Sequence, residues 1–206
     1  MVDRAGFEQL VSDRAAADRE ILTRALNFAA SAHRGQTRVG GEPYLTHPLA
    51  VAATLTETGL DTPTLAAGLL HDVIEDCGIT PEQLTQEFGP EIAFLVEGVS
   101  KISAVVPAER AAAKADSLRK MLLAMGKDLR VILIKLADRQ HNLGTAGALP
   151  QLRREKLARE TLEIYAPLAN RLGMDRIKNR LQDLAFAMLY PEEYQRLEQQ
   201  MSEYDR

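Results

Sequence analysis

Leu69, Leu70, Val73 and Ile74 recur at helical spacing, and among them stand His71, Asp72, Glu75 and Asp76. A segment of this kind commits the chain early. Its apolar positions must enter a core while an imidazole and three carboxylates share the same turns. On a helix His71 lies one turn from Glu75, and Asp72 one turn from Asp76, which makes two adjacent polar stripes. Asp and Glu are rarely buried without a counter-charge, and a divalent cation relieves the repulsion among crowded carboxylates. Taken alone, the segment reads equally well as a solvated acidic helix face with an incidental histidine.

The rest of the histidine and aspartate inventory shifts that balance. The only histidines are His33, His47, His71 and His141. His47 sits in Pro43-Tyr44-Leu45-Thr46-His47-Pro48, at the mouth of a helix expected to begin near Pro48. Asp138 closes the almost wholly apolar run Val131-Ile132-Leu133-Ile134-Lys135-Leu136-Ala137-Asp138. The ordered set His47, His71-Asp72 and Asp138 resembles that of the HD superfamily of metal-dependent phosphohydrolases, which takes its name from the His-Asp doublet.

The chain of 206 residues is a size compatible with one domain, and its 46% of apolar residues suffices for a single core. With a net charge of −4 and both signs interspersed, it carries no footprint of direct nucleic-acid binding. A single cysteine, Cys77, excludes an internal disulfide and fits a reducing compartment. No run reaches the roughly 18 apolar residues of a membrane span, and no signal-peptide pattern opens the chain. The expectation is a soluble cytoplasmic protein that does not enter a membrane.

The periodicity predicts an all-α fold of roughly ten helices. Residues 1–20 read as a short helix or a loosely held arm, and 18–33 as an amphipathic helix. Gly35, Gly40, Gly41 and Pro43 mark a loop over 34–43. Helices are expected at 48–58, 62–76, 81–88, 90–99, 116–126, 128–142, 151–171 and 174–189. Thr62-Pro63 and Thr80-Pro81 each read as an N-cap followed by proline at the first helical position. The polar, Ala-rich stretch 103–115 reads as mobile. Composition would allow a buried strand at 131–136, but the longer frame 128–142 favours helix.

Seven blocks carry a more specific resemblance. They are Gly35-Gln36-Thr37-Arg38, Gly41-Glu42-Pro43-Tyr44 with His47-Pro48, His71-Asp72-Val73-Ile74-Glu75-Asp76, Val99-Ser100-Lys101-Ile102, Leu118-Arg119-Lys120-Met121-Leu122-Leu123-Ala124-Met125, Lys135-Leu136-Ala137-Asp138-Arg139 with His141-Asn142, and Ile164-Tyr165-Ala166-Pro167-Leu168-Ala169-Asn170-Arg171-Leu172-Gly173. In order and at compatible spacing, they resemble the N-terminal hydrolase domain of the long Rel proteins (RelA/SpoT homologues). These enzymes make and destroy the alarmone (p)ppGpp of the stringent response. The resemblance implies a hydrolase domain over 20–173. It also implies a helical connector over 174–206, leading toward a synthetase domain and a regulatory, ribosome-linked region outside this sequence.

Carried over residue by residue, the resemblance implies that His47, His71, Asp72 and Asp138 bind Mn2+, with Glu75 and Asp76 as the general acid/base pair. The donor set suits a divalent cation, although ligand type alone does not select manganese, since other first-row metals bind such sites more tightly. A cation lowers the pKa of an adjacent water, and a nearby carboxylate can take the proton. Attack on the 3′-diphosphate of (p)ppGpp would release pyrophosphate and leave GDP or GTP. Arg38 matches an arginine that packs against guanine, and Asn142 and Thr145 match positions that touch the nucleotide. His33, His141 and Cys77 are expected to be structural. Two departures remove positive charge, since the family commonly has a basic residue where Val39 stands and an arginine where Gly144 stands. They imply a weaker KM with the metal site intact. An HD phosphohydrolase for another nucleotide and a non-catalytic nucleotide-sensing module are the alternatives.

Overall fold

The computed structural model describes residues 2–103 and 127–204, so the expected mobile stretch 103–115 falls almost entirely outside the described residues, and the expected helix at 116–126 falls wholly outside them. Among the described residues the secondary structure is helical throughout, apart from one isolated bridge between Thr37 and Pro43. The fold is all-α. The chain divides into two compact units, residues 1–138 and 139–206.

The first unit holds α1 (Arg4–Leu10), α2 (Ala16–Ala32), α3 (Thr46–Glu57), α4 (Thr62–Leu70), α5 (Val73–Cys77), α6 (Pro81–Phe88), α7 (Pro90–Ser103) and most of α8 (Leu129–Gly144). Helix α4 is its centre, packing against α2, α3 and α7. The residues of α4 explain that position: Leu65, Ala66, Ala67, Leu69 and Leu70 are all fully buried, and a helix apolar on every side belongs inside. Two glycines set how closely its neighbours approach. A Cβ at Gly68 would come within 2.6 Å of Leu55 Cδ1 on α3, and one at Gly98 on α7 within 2.8 Å of Val131 Cγ2 on α8.

Helix ends follow local chemistry, with two departures from expectation. Thr80 caps α6 in a reciprocal capping box with Gln83, as the Thr-Pro signal suggested. At α4 the cap is instead Asp61, whose carboxylate accepts the Thr64 N–H at 3.1 Å, so Thr62 is already helical. A carboxylate is at least as good an N-cap acceptor as a threonine hydroxyl. Helix α3 begins at Thr46 rather than near Pro48, which puts His47 on its first turn.

The more consequential difference lies at 62–76, which is two helices rather than one. The chain turns at His71 and Asp72, between α4 and α5. The Gly68 carbonyl, which an unbroken helix would offer to the Asp72 N–H, accepts a hydrogen bond from His71 Nδ1 at 2.8 Å. Helix α5 is a short turn that ends at Gly78 in the left-handed conformation, φ 68°.

In the second unit, α9 (Gln151–Glu160) and α10 (Ala166–Arg171) are joined by a π-helical turn, Thr161–Tyr165, and pack on α11 (Asp175–Leu189). The widened turn accommodates Pro167, which lacks an N–H and whose ring would meet the carbonyl one turn back. Helix α12 (Pro191–Tyr204) follows. No helix among the described residues is long and apolar enough to cross a membrane.

The amino-terminal segment is not a loose arm. Helix α1 packs on α3 and buries Phe7, which is 1% exposed. Phe7→Ala should therefore destabilise the protein by about 3 kcal/mol, read as a lower urea midpoint at unchanged slope. A loosely held arm would leave the midpoint where it was.

Candidate metal centre

Three groups that stand far apart in the chain meet inside the first unit. His47 comes from the first turn of α3, His71 from the break after α4 and Asp138 from α8, and all three are buried. Their ligand atoms lie within 4.8 Å of one another. His47 Nε2 is 3.1 Å from His71 Nε2 and 3.2 Å from Asp138 Oδ1, while His71 Nε2 is 3.8 Å from the same oxygen. Asp72 adds Oδ2 at 3.1 Å from His71 Nε2 and 3.4 Å from His47 Nε2. The structure thus brings together His47, His71, Asp72 and Asp138.

The local bonds orient these groups. Because a carbonyl can only accept, His71 Nδ1 carries the hydrogen it donates to Gly68, which leaves Nε2 as a lone pair in the neutral ring. That lone pair faces another ring nitrogen and two carboxylates, an arrangement that repels itself unless a proton or a cation lies within it. The two imidazole nitrogens, 3.1 Å apart, are close enough for both to be held by one cation. Lys135, one turn before Asp138 on α8, donates to Asp138 Oδ2 at 2.6 Å and leaves Oδ1 directed at the histidines. Such outer partners fix ligand orientation in metal sites.

Electrostatics favours positive charge at the same point. Burial opposes the charged form of His71, yet the Asp72 and Asp138 carboxylates and the Gly68 carbonyl together raise its pKa to about 9. Burial likewise works against ionised Asp72 and Asp138. The His71 and His47 rings beside Asp72, and Lys135 and the same rings beside Asp138, nonetheless hold both carboxyls below the usual range.

Around this cluster lies a second set of contacts. The Tyr44 hydroxyl reaches Asp72 Oδ2 at 2.7 Å and Asp76 Oδ2 at 2.5 Å. Its ring stacks on His33, centroids 4.4 Å apart. Desolvation and then the charges and hydrogen bonds of Asp72 and Asp76 push the phenol far above its ordinary pKa, so it remains a donor. The Arg38 guanidinium lies 6.0 Å from the Tyr44 ring centroid, with Glu42 at 3.9 Å. Glu75 and Asp76 are exposed on α5. Asn142 and Thr145 belong to the second unit, at the end of α8 and just past it, where the Thr145 hydroxyl donates to the His141 carbonyl at 3.0 Å. Tyr44, Lys135 and Gly68 acquire roles that the sequence reading did not assign. The spacing of Lys135 and Asp138 on one helix could have signalled the second. Tyr44 lies at the end of an irregular loop, where no periodicity says what it faces.

Comparison with known proteins identifies one family model and several relatives. The model of the HD domain family matches residues 25–175. A protein of Vibrio cholerae named guanosine-3′,5′-bis(diphosphate) 3′-pyrophosphohydrolase is 53% identical over 180 residues, 87% of this chain and 26% of that protein. The bifunctional (p)ppGpp synthase/hydrolase SpoT of Escherichia coli K12 is 54% identical over 84% of this chain and 25% of its own length. A GTP pyrophosphokinase of Streptomyces coelicolor is also 54% identical, over 84% of this chain and 20% of that protein. The chain therefore spans about a quarter or less of these relatives. Among solved structures, a metazoan SpoT ortholog described as hydrolysing ppGpp superposes with a TM-score of 0.58 at 26% identity. That match covers 86% of this chain and 97% of that one.

The raised pKa of His71 has a pH signature. A histidine whose folded pKa of about 9 exceeds its ordinary ~6.5 contributes stability that is fully present below about pH 6.5 and is lost as the pH rises through 9. The metal-free protein should lose thermal stability from pH 6.5 to 9.5. Over the same interval a divalent cation should bind more tightly and release a proton, measured by titration calorimetry in buffers of different ionisation enthalpy. A midpoint and an affinity both flat over this range would contradict the arrangement described.

Proposed function

Since the chain belongs to the HD domain family, we propose that it is a Mn2+-dependent (p)ppGpp 3′-pyrophosphohydrolase, with residues 20–173 as the catalytic part. The observation that carries the reading is the convergence of His47, His71 and Asp138, joined by Asp72, on one buried point. The names of the 53–54% identical relatives and of the metazoan structure supply the substrate. In a longer protein, 174–206 would be a helical connector toward a synthetase and a ribosome-linked regulatory region. The compartment would be the cytoplasm.

The donor set of two imidazoles and two carboxylates fits a divalent cation, and His47, His71, Asp72 and Asp138 would hold it. When bound, such an ion polarises a phosphate oxygen and acidifies a neighbouring water. Gly68 fixes the His71 tautomer, and Lys135 occupies the Asp138 oxygen that faces away from the site. Glu75 and Asp76 form the acid/base pair, one taking a proton from the attacking water and one returning a proton to the leaving 3′-oxygen. The water oxygen joins the phosphorus of the 3′-diphosphate, the bond from that phosphorus to O3′ breaks, and pyrophosphate departs. Arg38 would stack its guanidinium on the guanine, with Asn142 and Thr145 completing the nucleotide contacts.

Incubation of the protein with ppGpp should yield GDP and pyrophosphate with Mn2+ and nothing after chelation. His71→Ala and Asp72→Ala should each reduce turnover by more than the roughly 100-fold that loss of an outer partner causes, with the helical circular dichroism retained. Comparable turnover of deoxynucleoside triphosphates or cyclic nucleotides would overturn the substrate assignment. Guanine-nucleotide binding without pyrophosphate release would overturn the activity.

The two missing basic residues should weaken substrate binding rather than the chemistry. A Cβ at Gly144 would meet nothing within 4 Å, so a side chain can leave the backbone there without a clash. Gly144→Arg should lower KM about fivefold, the ~1 kcal/mol of an exposed charge contact, at unchanged kcat. An unchanged KM would count against a phosphate-facing role for this position.

A further inference from the structure

Resting on the hydrolase reading above, we propose that Tyr44 is a positioning residue that aims Asp76, and that the 34–43 loop is the clamp that holds it. Asp76 needs one. It lies exposed on a five-residue helix, where neither core packing nor helix length restricts its side chain. Among the described residues the Tyr44 hydroxyl is the hydrogen-bond partner of the Asp76 carboxylate, at 2.5 Å.

Three contacts fix the hydroxyl in turn. The Tyr44 ring is stacked on the buried His33 with an interplanar angle of 13°. The Tyr44 backbone N–H donates to the Gln36 carbonyl at 3.0 Å, and the loop between closes through Arg38 N–H to the Glu42 carbonyl at 2.9 Å. Gln36 grips the other side of the same residue. Its Nε2 donates to the Asp76 carbonyl at 3.2 Å, while its Oε1 accepts from His33 Nδ1 at 2.8 Å. Asp76 is thus held at its backbone by Gln36 and at its carboxylate by Tyr44, and both holders are anchored on His33.

The same hydroxyl also touches Asp72 Oδ2 at 2.7 Å. A phenol has one hydrogen and serves one acceptor fully. The Asp72 oxygen also faces His71 Nε2 at 3.1 Å and His47 Nε2 at 3.4 Å, where a bound cation would hold its carboxylate without Tyr44. The hydroxyl therefore acts through Asp76, and its loss should be felt in proton transfer and not in metal affinity.

Tyr44→Phe keeps the stacked ring and removes only the hydroxyl. With ppGpp and saturating Mn2+, its kcat should fall about 10- to 100-fold, the usual effect of losing an outer partner or misplacing a reacting group. KM and the Mn2+ dissociation constant should each stay within about twofold of wild type. In an Asp76→Asn background the same change should add no further loss, because the residue through which it acts is already disabled. Additive losses, an unchanged kcat, or a Mn2+ affinity weakened tenfold or more would each overturn the proposal. Crystal structures of wild type and Tyr44→Phe grown with Mn2+ give a readout independent of turnover. The Asp76 carboxylate should leave its place while Asp72 stays, and an unmoved Asp76 would overturn the clamp. Absence of pyrophosphate release by the wild type would sink the hydrolase reading instead, and the two crystal structures would then decide the clamp by themselves.

Discussion

Two imidazoles and an aspartate can share the dry interior of a helical bundle only if positive charge joins them. His47, His71 and Asp138 are buried to within a few per cent, and His71 has committed its one neutral-ring hydrogen to the Gly68 carbonyl. What remains at their meeting point is the His71 lone pair, the His47 ring nitrogen and carboxylate oxygens, and an isolated charge in such surroundings is strongly penalised. The raised pKa of His71 and the lowered ones of Asp72 and Asp138 express the same demand. A cation answers it without a proton, and the rest of the unit can be understood as a frame that keeps these donors from relaxing apart.

That frame depends on close backbone approach. Helix α4 is buried on every side, and Gly68 serves it twice: the missing side chain admits Leu55 of α3, and the carbonyl orients His71. His47 rides on α3, so the contact that draws α3 onto α4 also sets the spacing of the two histidines. Gly98 plays the corresponding part between α7 and α8, the helix that carries Asp138. The break at 71–72 is part of the same arrangement. By ending α4 at Leu70, the chain can bury His71 while turning Glu75 and Asp76 out on α5. A continuous helix would have confined these groups to the two stripes its period allows.

Buried donors and exposed carboxylates then call for different support. The buried groups are held by packing and by short polar contacts such as Lys135 to Asp138. The exposed Asp76 is held by a loop, through Tyr44 and Gln36, and that loop is in turn seated on the buried His33. Order at the water-facing edge thus derives from a histidine that stands apart from the buried His47, His71 and Asp138 cluster. The second unit shows a parallel economy: a π-helical turn takes up Pro167, and the guanidinium of the buried Arg139 covers the Tyr165 ring at 4.0 Å.

Most helices were legible because their causes are local. Apolar spacing and the Thr80-Pro81 signal act within one turn of the residues they affect. The break at His71 was not, since it depends on where an imidazole points, and the Asp61 cap was missed because the adjacent Thr-Pro pair carried the more familiar signal. The donor types, two histidines and the aspartates, and their order along the chain were determined by the sequence itself, and so was the all-helical architecture. Only the tertiary structure decided that His47, His71 and Asp138 meet, which oxygen of Asp138 faces them, and that Tyr44 lies over Asp76. Propensity and capping act across three or four residues, whereas these contacts join groups far apart in the chain through the packing of α3, α4 and α8 and the folding back of one loop.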